Sequence, residues 1–170
     1  MREILFRGFH ENKSGESVIL VNGAEKRGTW VEGSLIKSES GHCYIGEWLV
    51  SSKAIQFYCG GSRKHRTETR YLGMGFALVI PETVGQFTGI LACEEKKVFE
   101  GDRIKADEEG EISEYSIAYC GEDDYPAFDC IPHIDCDANG LSYLKGADYP
   151  IEVIGTIFDT PDKPKGATHD

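Results

Sequence analysis

Residues 98–106 read Val-Phe-Glu-Gly-Asp-Arg-Ile-Lys-Ala, and this stretch carries the clearest structural signal in the chain. An apolar pair precedes Glu100-Gly101-Asp102, and an alternating polar and apolar run follows it. Because glycine permits a positive φ and an aspartate carboxylate can accept backbone N–H groups, we predict a turn that leads into a strand. The alternative is that Glu100 and Asp102 line a site, as an acid and a base or as metal ligands. We favour the turn, since no second acidic pair at a fixed spacing supports a site.

Other stretches have the alternation or the β-branched content of strands. They are 28–36, 54–59, 71–80, 83–88, 111–120 and 151–158. We expect 71–80 to be a fully buried strand and 151–158 to be a central strand, because both are rich in apolar residues. The best candidate for a short helix is 51–57. Short strands with turn residues between them predict a mainly β barrel or sandwich.

The length and composition indicate a folded domain. A chain of 170 residues suits one domain or at most two small ones, and it can fold on its core alone. It has no apolar run of 18 residues and no signal-peptide pattern at its start, so we expect no membrane association. The six cysteines are interpreted as buried, reduced thiols of an intracellular protein.

The net charge of −11 is unevenly distributed along the chain. Residues 1–85 carry 11 basic and 9 acidic side chains, whereas residues 86–170 carry 7 basic and 20 acidic ones, a net charge of −13. This balance argues against a general DNA-coating protein. The acidic half either is a solvated surface that maintains solubility or meets a basic partner.

Five blocks of the sequence resemble, in order, the YopX-like family of phage and prophage proteins. They lie at 2–8, 30–36, 81–89, 98–104 and 149–158, and include Trp-Val-Glu-Gly-Ser-Leu-Ile, Pro-Glu-Thr-Val-Gly-Gln-Phe-Thr-Gly and Val-Phe-Glu-Gly-Asp-Arg-Ile. The segments 37–80 and 106–148 lie between the blocks and resemble no family. Family members usually have an Asn-Gly turn within the stretch that is 90–99 here. Its absence predicts a longer turn around 94–97.

The resemblance implies a mainly β fold that contains a barrel of antiparallel strands, with at most short helices. It also implies a phage or prophage origin and a location in the cytoplasm of the bacterial host. We expect a β domain over 1–158, with a division into 1–80 and 81–158 left open, and a flexible tail over 159–170. The motif residues are predicted to be structural: Trp30, Gln86, Thr88, Glu100, Gly101 and Asp102. The resemblance implies no reaction.

Two clusters contain residue types that bind metals. Cys130, His133 and Cys136, with Cys120 further upstream, are zinc-ligand types, but C-x₂-H-x₂-C is not a standard zinc knuckle and no C-x₂-C occurs. We therefore interpret these cysteines as small buried hydrophobes. The stretch 135–140 matches the first half of a calcium loop, but its twelfth position is a glycine rather than a carboxylate. We expect a polar turn there, no metal and no cofactor.

A basic loop is the best candidate for a nucleic-acid interface. Arg63, Lys64, Arg66 and Arg70 place four cations within eight residues and near tyrosines, which suits single-stranded nucleic acid. A solvated loop is the alternative, and we prefer it because the whole chain is acidic.

The sequence contains no nucleophile motif and no phosphate-binding loop, so we expect no enzyme activity. We predict a non-enzymatic accessory factor that acts by associating with a protein partner, and we consider a homo-oligomer, since small β domains often cover exposed strand edges by self-assembly. The alternatives are a nucleic-acid binder that uses 63–70 and a cryptic enzyme with a cleft near Glu100 and Asp102.

Overall fold

A computed structural model describes residues 4–47, 75–120, 126–136 and 139–159. In this structure the chain folds into two antiparallel sheets. The first sheet consists of β1 (Phe6–Ile19), β2 (Glu25–Lys37), β3 (Cys43–Glu47), β4 (Gly75–Val79), β5 (Gly85–Leu91) and β6 (Lys97–Phe99). The second consists of β7 (Asp102–Glu108), β8 (Glu111–Tyr119), β9 (Phe128–Ile131) and β10 (Ile151–Thr156). The helix α1 spans Gly140–Gly146, and short 3₁₀ turns lie at Pro81–Thr83 and Cys93–Glu95.

The six-stranded sheet is built on the long hairpin of β1 and β2. Its strand order is β4-β3-β2-β1-β5-β6, and Phe9 lies opposite Trp30 in the hairpin. A bulge in β1 places both Glu11 and Glu16 opposite Gly28. Phe9 is fully buried, so this hairpin contributes directly to a hydrophobic core of the six-stranded sheet, together with Val18, Leu20 and Phe158.

Gly28 is a position in the hairpin that has no room for a side chain. A β-carbon there would lie 2.0 Å from the carbonyl oxygen of His10. We expect Gly28→Ala to lower the free energy of unfolding by about 1–3 kcal/mol, because the bulged strand must move away from β2. Urea unfolding measures this loss. Gly146→Ala is the matched control, because a β-carbon meets nothing within 4 Å there; an equal loss in both variants would show that the close approach is not what matters.

The four-stranded sheet has the order β10-β7-β8-β9 and packs against α1. Its core contains buried apolar residues from all four strands, the helix and the end of the first sheet. They are Val98, Ile104, Ala106, Ile117, Cys130, Leu141, Leu144 and Ile151. Asn139 caps the helix, since its side-chain oxygen accepts a hydrogen bond of 2.9 Å from the Ser142 N–H.

The two sheets meet at the turn between β6 and β7. The Gly101 N–H donates to the carbonyl of Ile117 at 2.8 Å, and the Gly101 carbonyl accepts from the Ile157 N–H at 2.9 Å. The backbone beyond β10 then reaches the first sheet, where the Ile19 N–H donates to the Phe158 carbonyl at 2.6 Å. Phe158 is buried with Phe9 in the core of the six-stranded sheet.

The mainly β, antiparallel fold is confirmed, but neither sheet closes into a barrel within the described ranges. Two strand predictions are wrong. Of the strand predicted at 71–80 as fully buried, residues 75–79 form β4, which lies at the edge of the sheet among the described strands, and Leu78 on it is 48% exposed. The central strand predicted at 151–158 is the edge strand β10, in which the register shifts between Val153 and Gly155. The predicted segment is rich in apolar residues partly because Phe158, just beyond β10, packs into the core of the other sheet.

Other predictions have mixed outcomes. The strands predicted at 28–36 and 111–120 are confirmed as β2 and β8, and the longer turn near 94–97 is the 3₁₀ turn with φ of 58° at both Glu94 and Glu95. The strand at 54–59 and the helix at 51–57 lie outside the described residues. The tail beyond Asp159 also lies outside the described residues. Asp159, the first residue of the predicted tail, forms a β-bridge with Val18. None of the helices in the described ranges is long and apolar enough to cross a membrane.

Candidate functional site

Asp102 is the most deeply buried charged group among the described residues. It is the first residue of β7, its side chain is 0% exposed, and both carboxylate oxygens have partners. Oδ2 accepts the Phe99 N–H at 2.8 Å, which closes the turn around Gly101, where φ is 82°. Oδ1 accepts a short hydrogen bond from the Arg7 guanidinium of β1. The carboxylate therefore serves the local turn and also links one sheet to the other.

The Arg7 guanidinium is held between two aromatic rings. Its Cζ lies 4.8 Å from the ring centroid of Trp30 and 4.7 Å from that of Phe99, and the side chain is 12% exposed. The electron-rich ring faces attract the cation, and they also shield its bond to Asp102 from water. Trp30 in turn contacts Phe9 with ring centroids 5.3 Å apart. Strands from both sheets are thereby fixed around one ion pair.

Burial raises the pKa of the Asp102 carboxyl above its usual value, while the Arg7 guanidinium and the Phe99 N–H oppose that rise. A raised carboxyl pKa is also found at catalytic sites. Asp102, however, is enclosed by side chains and lies on no open surface. This geometry is that of a structural ion pair.

Glu100 lies in a different environment from Asp102. Its backbone N–H donates to the Gln86 carbonyl at 2.9 Å, and its half-buried side chain lines a cleft of about 840 Å³. The two carboxylates that the alternative interpretation placed in one site therefore lie in different environments, as the favoured turn interpretation allows. The side chain of Glu100 has no hydrogen bond or ion pair with any described residue.

The cleft is formed where β5, the end of β8, β9 and α1 meet. Its walls include Gln86, Thr88 and Ile90 from β5, with Tyr119 and Phe128 opposite one another in the β8–β9 pair. The rings of Tyr119 and Phe128 are 5.3 Å apart. The remaining described wall residues are Gly89, Glu100, Pro126, Ala127, Asn139, Leu141 and Ser142. Aromatic, amide and carboxylate groups thus share one concave surface.

Thr88 has a structural role at the inner wall of this cleft. Its hydroxyl donates to the Val98 carbonyl at 2.9 Å and accepts the Ile90 N–H at 3.1 Å. These bonds fix β5 against β6 at a point where the paired register is interrupted. Gln86 is half-buried, and its side-chain amide has no hydrogen bond with any described residue.

The segment that contains Cys130 and His133 is linked to the start of the helix α1 through Asp129. Asp129 is buried, and its Oδ1 accepts N–H groups from Cys130 at 2.7 Å and Gly140 at 2.8 Å. His133 contacts Oδ2 of the same carboxylate through Nδ1 at 3.2 Å. No group of three or more potential ligands able to hold a metal ion occurs in the described part of the chain. In the calcium-like stretch, Asn139 is occupied as the cap of α1, and Asp137 lies outside the described residues.

Of the cysteines that the structure describes, Cys43, Cys120 and Cys130 are buried and Cys136 is half-buried, but the prediction of a buried thiol is wrong for Cys93, which is exposed. Burial and the neighbouring Asp129 raise the pKa of Cys130 to about 12, and Cys93 is exposed. We expect iodoacetamide to modify Cys93 in the native protein and to leave Cys130 unmodified until urea unfolds the chain, because the thiolate is the reactive form. Peptide mass spectrometry assigns the modified positions. Rapid alkylation of Cys130 in the native protein would show that its thiol is not buried as described. Cys93→Ser is the control, because it removes the thiol that is expected to react rapidly.

The predicted basic loop, with Arg63, Lys64, Arg66 and Arg70, lies outside the described residues. Sequence reasoning also missed several residues that the structure makes important. A signal was present for Arg7, which is a cation flanked by the aromatic residues Phe6 and Phe9. No local signal marked Tyr119, Phe128 and Asn139 as neighbours of Gln86 and Glu100.

A protein-family model described as YopX protein matches residues 25–163, which is most of the chain. The matched range contains Trp30, Thr88, Glu100 and Asp102, and it begins after Arg7. No curated protein matches the chain, and no solved structure does.

Proposed function

The chain belongs to the YopX protein family, and from this membership and the surface described above we propose that it acts by binding another protein and catalyses no reaction. In this proposal it is a phage- or prophage-encoded accessory factor that works in the cytoplasm of the bacterial host. The observation that carries the proposal is the separation of Glu100 from Asp102. The buried carboxylate is committed to the scaffold, and the open one faces a cleft.

The chemistry of the two environments supports binding rather than catalysis. The pKa of Asp102 and that of Cys130 are both raised by burial, and both groups lie within packed interior. The cleft instead presents aromatic rings, a side-chain amide and a carboxylate. Such groups recognise a partner by stacking and hydrogen bonding.

The surface charge favours a basic partner. The β7–β8 turn carries Asp107, Glu108, Glu109 and Glu111 within five residues. Its conformation is fixed, because Asp107 Oδ1 accepts the Gly110 N–H at 2.8 Å and Glu108 Oε1 accepts from the Tyr115 hydroxyl at 2.9 Å. A fixed acidic surface accelerates encounter with a positively charged protein.

Co-purification from bacterial cells tests the proposal. The tagged full chain is expressed in a host carrying an induced prophage and isolated with and without nuclease treatment. We expect a stoichiometric protein partner that persists after nuclease, and a complex that weakens as the salt concentration rises. The partner, produced separately, must then form the complex again with the purified chain.

Two results would overturn the proposal. Loss of the partner on nuclease treatment, with recovery on adding single-stranded oligonucleotide, would instead support a nucleic-acid binder that uses residues 63–70. Turnover of a substrate by the purified chain would support the enzyme alternative.

Light scattering on the same sample gives the oligomeric state. We expect self-association, because among the described strands β4 and β10 lie at sheet edges and carry the exposed apolar residues Leu78 and Ile154.

A further inference from the structure

We propose that the cleft between β5, β8, β9 and α1 binds an arginine side chain of the protein partner, together with the short segment that carries it. This inference rests on the proposed function, because it names the chemistry by which a protein partner is recognised. The volume of about 840 Å³ is in the range of ligand pockets and leaves room for residues on either side of the arginine.

The charge of the cleft selects a cation. Its described lining contains one carboxylate, Glu100, and no lysine, arginine or histidine. That carboxylate is half-buried and has no ion pair with any described residue. A partly desolvated carboxylate without a counter-ion attracts a cation more strongly than one in open water. The same group would repel a phosphate.

The aromatic wall selects a planar cation. Tyr119 and Phe128 face each other across the β8–β9 pair at 5.3 Å with their ring planes 61° apart, and Tyr119 is 51% exposed. About half of the Tyr119 surface is therefore accessible to a stacking group. Guanidinium stacks on aromatic faces better than ammonium does. The protein uses this arrangement internally, where Arg7 lies over Trp30 and Phe99 and donates to Asp102.

The acceptors in the cleft also suit guanidinium. Its five N–H donors require several oxygens, and the cleft offers the Glu100 carboxylate and the side-chain carbonyl of Gln86. The lysine ammonium is a compact point charge with three N–H donors, so it matches these acceptor oxygens less well than the planar guanidinium does. We therefore assign arginine as the preferred side chain.

An NMR titration of the ¹⁵N-labelled full chain tests the assignment. The probe is acetyl-Gly-Arg-Gly-amide, and the comparison peptide contains citrulline, which has nearly the same shape but no charge. We expect saturable shifts at the amides of Gly89, Glu100 and Tyr119 with the arginine peptide, and at least about tenfold weaker binding of the citrulline peptide.

Variants locate the site. Glu100→Gln should weaken binding of the arginine peptide about tenfold, and Tyr119→Ala should weaken it several-fold through loss of stacking. Tyr119 is half-exposed, so this second variant keeps the test valid if Glu100→Gln fails to fold. Glu25→Gln, an exposed carboxylate change on β2, is the matched control and should leave binding unchanged.

The possible failures are distinguishable. Equal binding of the two peptides, unchanged binding in both cleft variants, or the same shifts on adding a single-stranded oligonucleotide would overturn the arginine site. If a partner co-purifies but binds Glu100→Gln and Tyr119→Ala as tightly as the unaltered chain, the cleft assignment fails and the proposed function stands. If the arginine peptide binds as expected and no protein partner forms a complex, the proposed function fails and the cleft chemistry stands.

Discussion

Replacing Arg7 with methionine lowers the free energy of unfolding by about 3–5 kcal/mol at neutral pH, because it leaves the buried Asp102 carboxylate without its counter-ion. The carboxylate is 0% exposed, so water cannot replace the guanidinium. The change also removes the cation between Trp30 and Phe99. Urea unfolding followed by circular dichroism gives the value.

A second arginine provides the control for this prediction. Arg103 pairs with Glu114 at 2.9 Å on the surface, where both side chains are about half exposed. Arg103→Met should cost less than about 1 kcal/mol, since water screens that pair. The double variant Arg7→Met/Asp102→Asn should recover part of the loss, because no unpaired charge remains. Equal losses for Arg7→Met and Arg103→Met would refute the structural role of the buried pair.

The loss caused by Arg7→Met should also depend on pH. Burial raises the pKa of Asp102 in the folded state, so the folded chain binds a proton more readily than the unfolded chain does. This contribution to stability is complete below the unfolded pKa of the carboxyl and is lost as the pH rises through the folded pKa. Without Arg7 the folded pKa rises further. The loss should therefore be smaller near about pH 4 than at pH 7, and Asp102→Asn should abolish the difference.

Trp30→Ala is the change with the next largest effect, and we expect it to lower the free energy of unfolding by about 3 kcal/mol. The indole packs against Phe9 at 5.3 Å and Phe158 at 6.3 Å, and Arg7 lies over its ring. Removing it leaves a gap in the core of the first sheet and exposes the buried pair to water. The same urea experiment measures the loss.

Trp30→Phe tests whether the stability lost in Trp30→Ala comes from losing an aromatic ring at this position. Phenylalanine keeps an aromatic face for Arg7 and much of the contact with Phe9, so this variant should lose less than half as much stability as Trp30→Ala. If the two variants are equally stable, the ring does not shield the ion pair, and the role given to Trp30 is wrong.

The local part of this fold is predictable from sequence. The turn at 100–102 follows from the freedom of Gly101 and the acceptor oxygens of Asp102, and both act within four residues of Phe99. The strands β2 and β8 follow from alternation that is complete within each segment. The positions of β4 and β10 at sheet edges do not follow, because an apolar run has the same pattern whether it packs under a neighbouring strand or sends a residue such as Phe158 into another sheet.

The candidate site is less predictable for the same physical reason. Asp102 and Arg7 are 95 residues apart, and nothing near either residue specifies the other. The sequence places Glu100 and Asp102 two positions apart, which suggests one site. Asp102 instead begins β7 and is buried, whereas Glu100, before the positive φ of Gly101, is a half-buried residue that lines the cleft. The cleft itself needs four separate segments to meet.

The central claim is that these two neighbouring carboxylates have different roles, one in the scaffold and one in binding. The free energies of unfolding of Asp102→Asn and Glu100→Gln, measured side by side in urea at neutral pH, test it most directly. We expect Asp102→Asn to lose about 3 kcal/mol, because Arg7 is left without its counter-ion, and Glu100→Gln to remain within about 0.5 kcal/mol of the unaltered chain. Equal stability of the two variants, or a larger loss for Glu100→Gln, would contradict the claim.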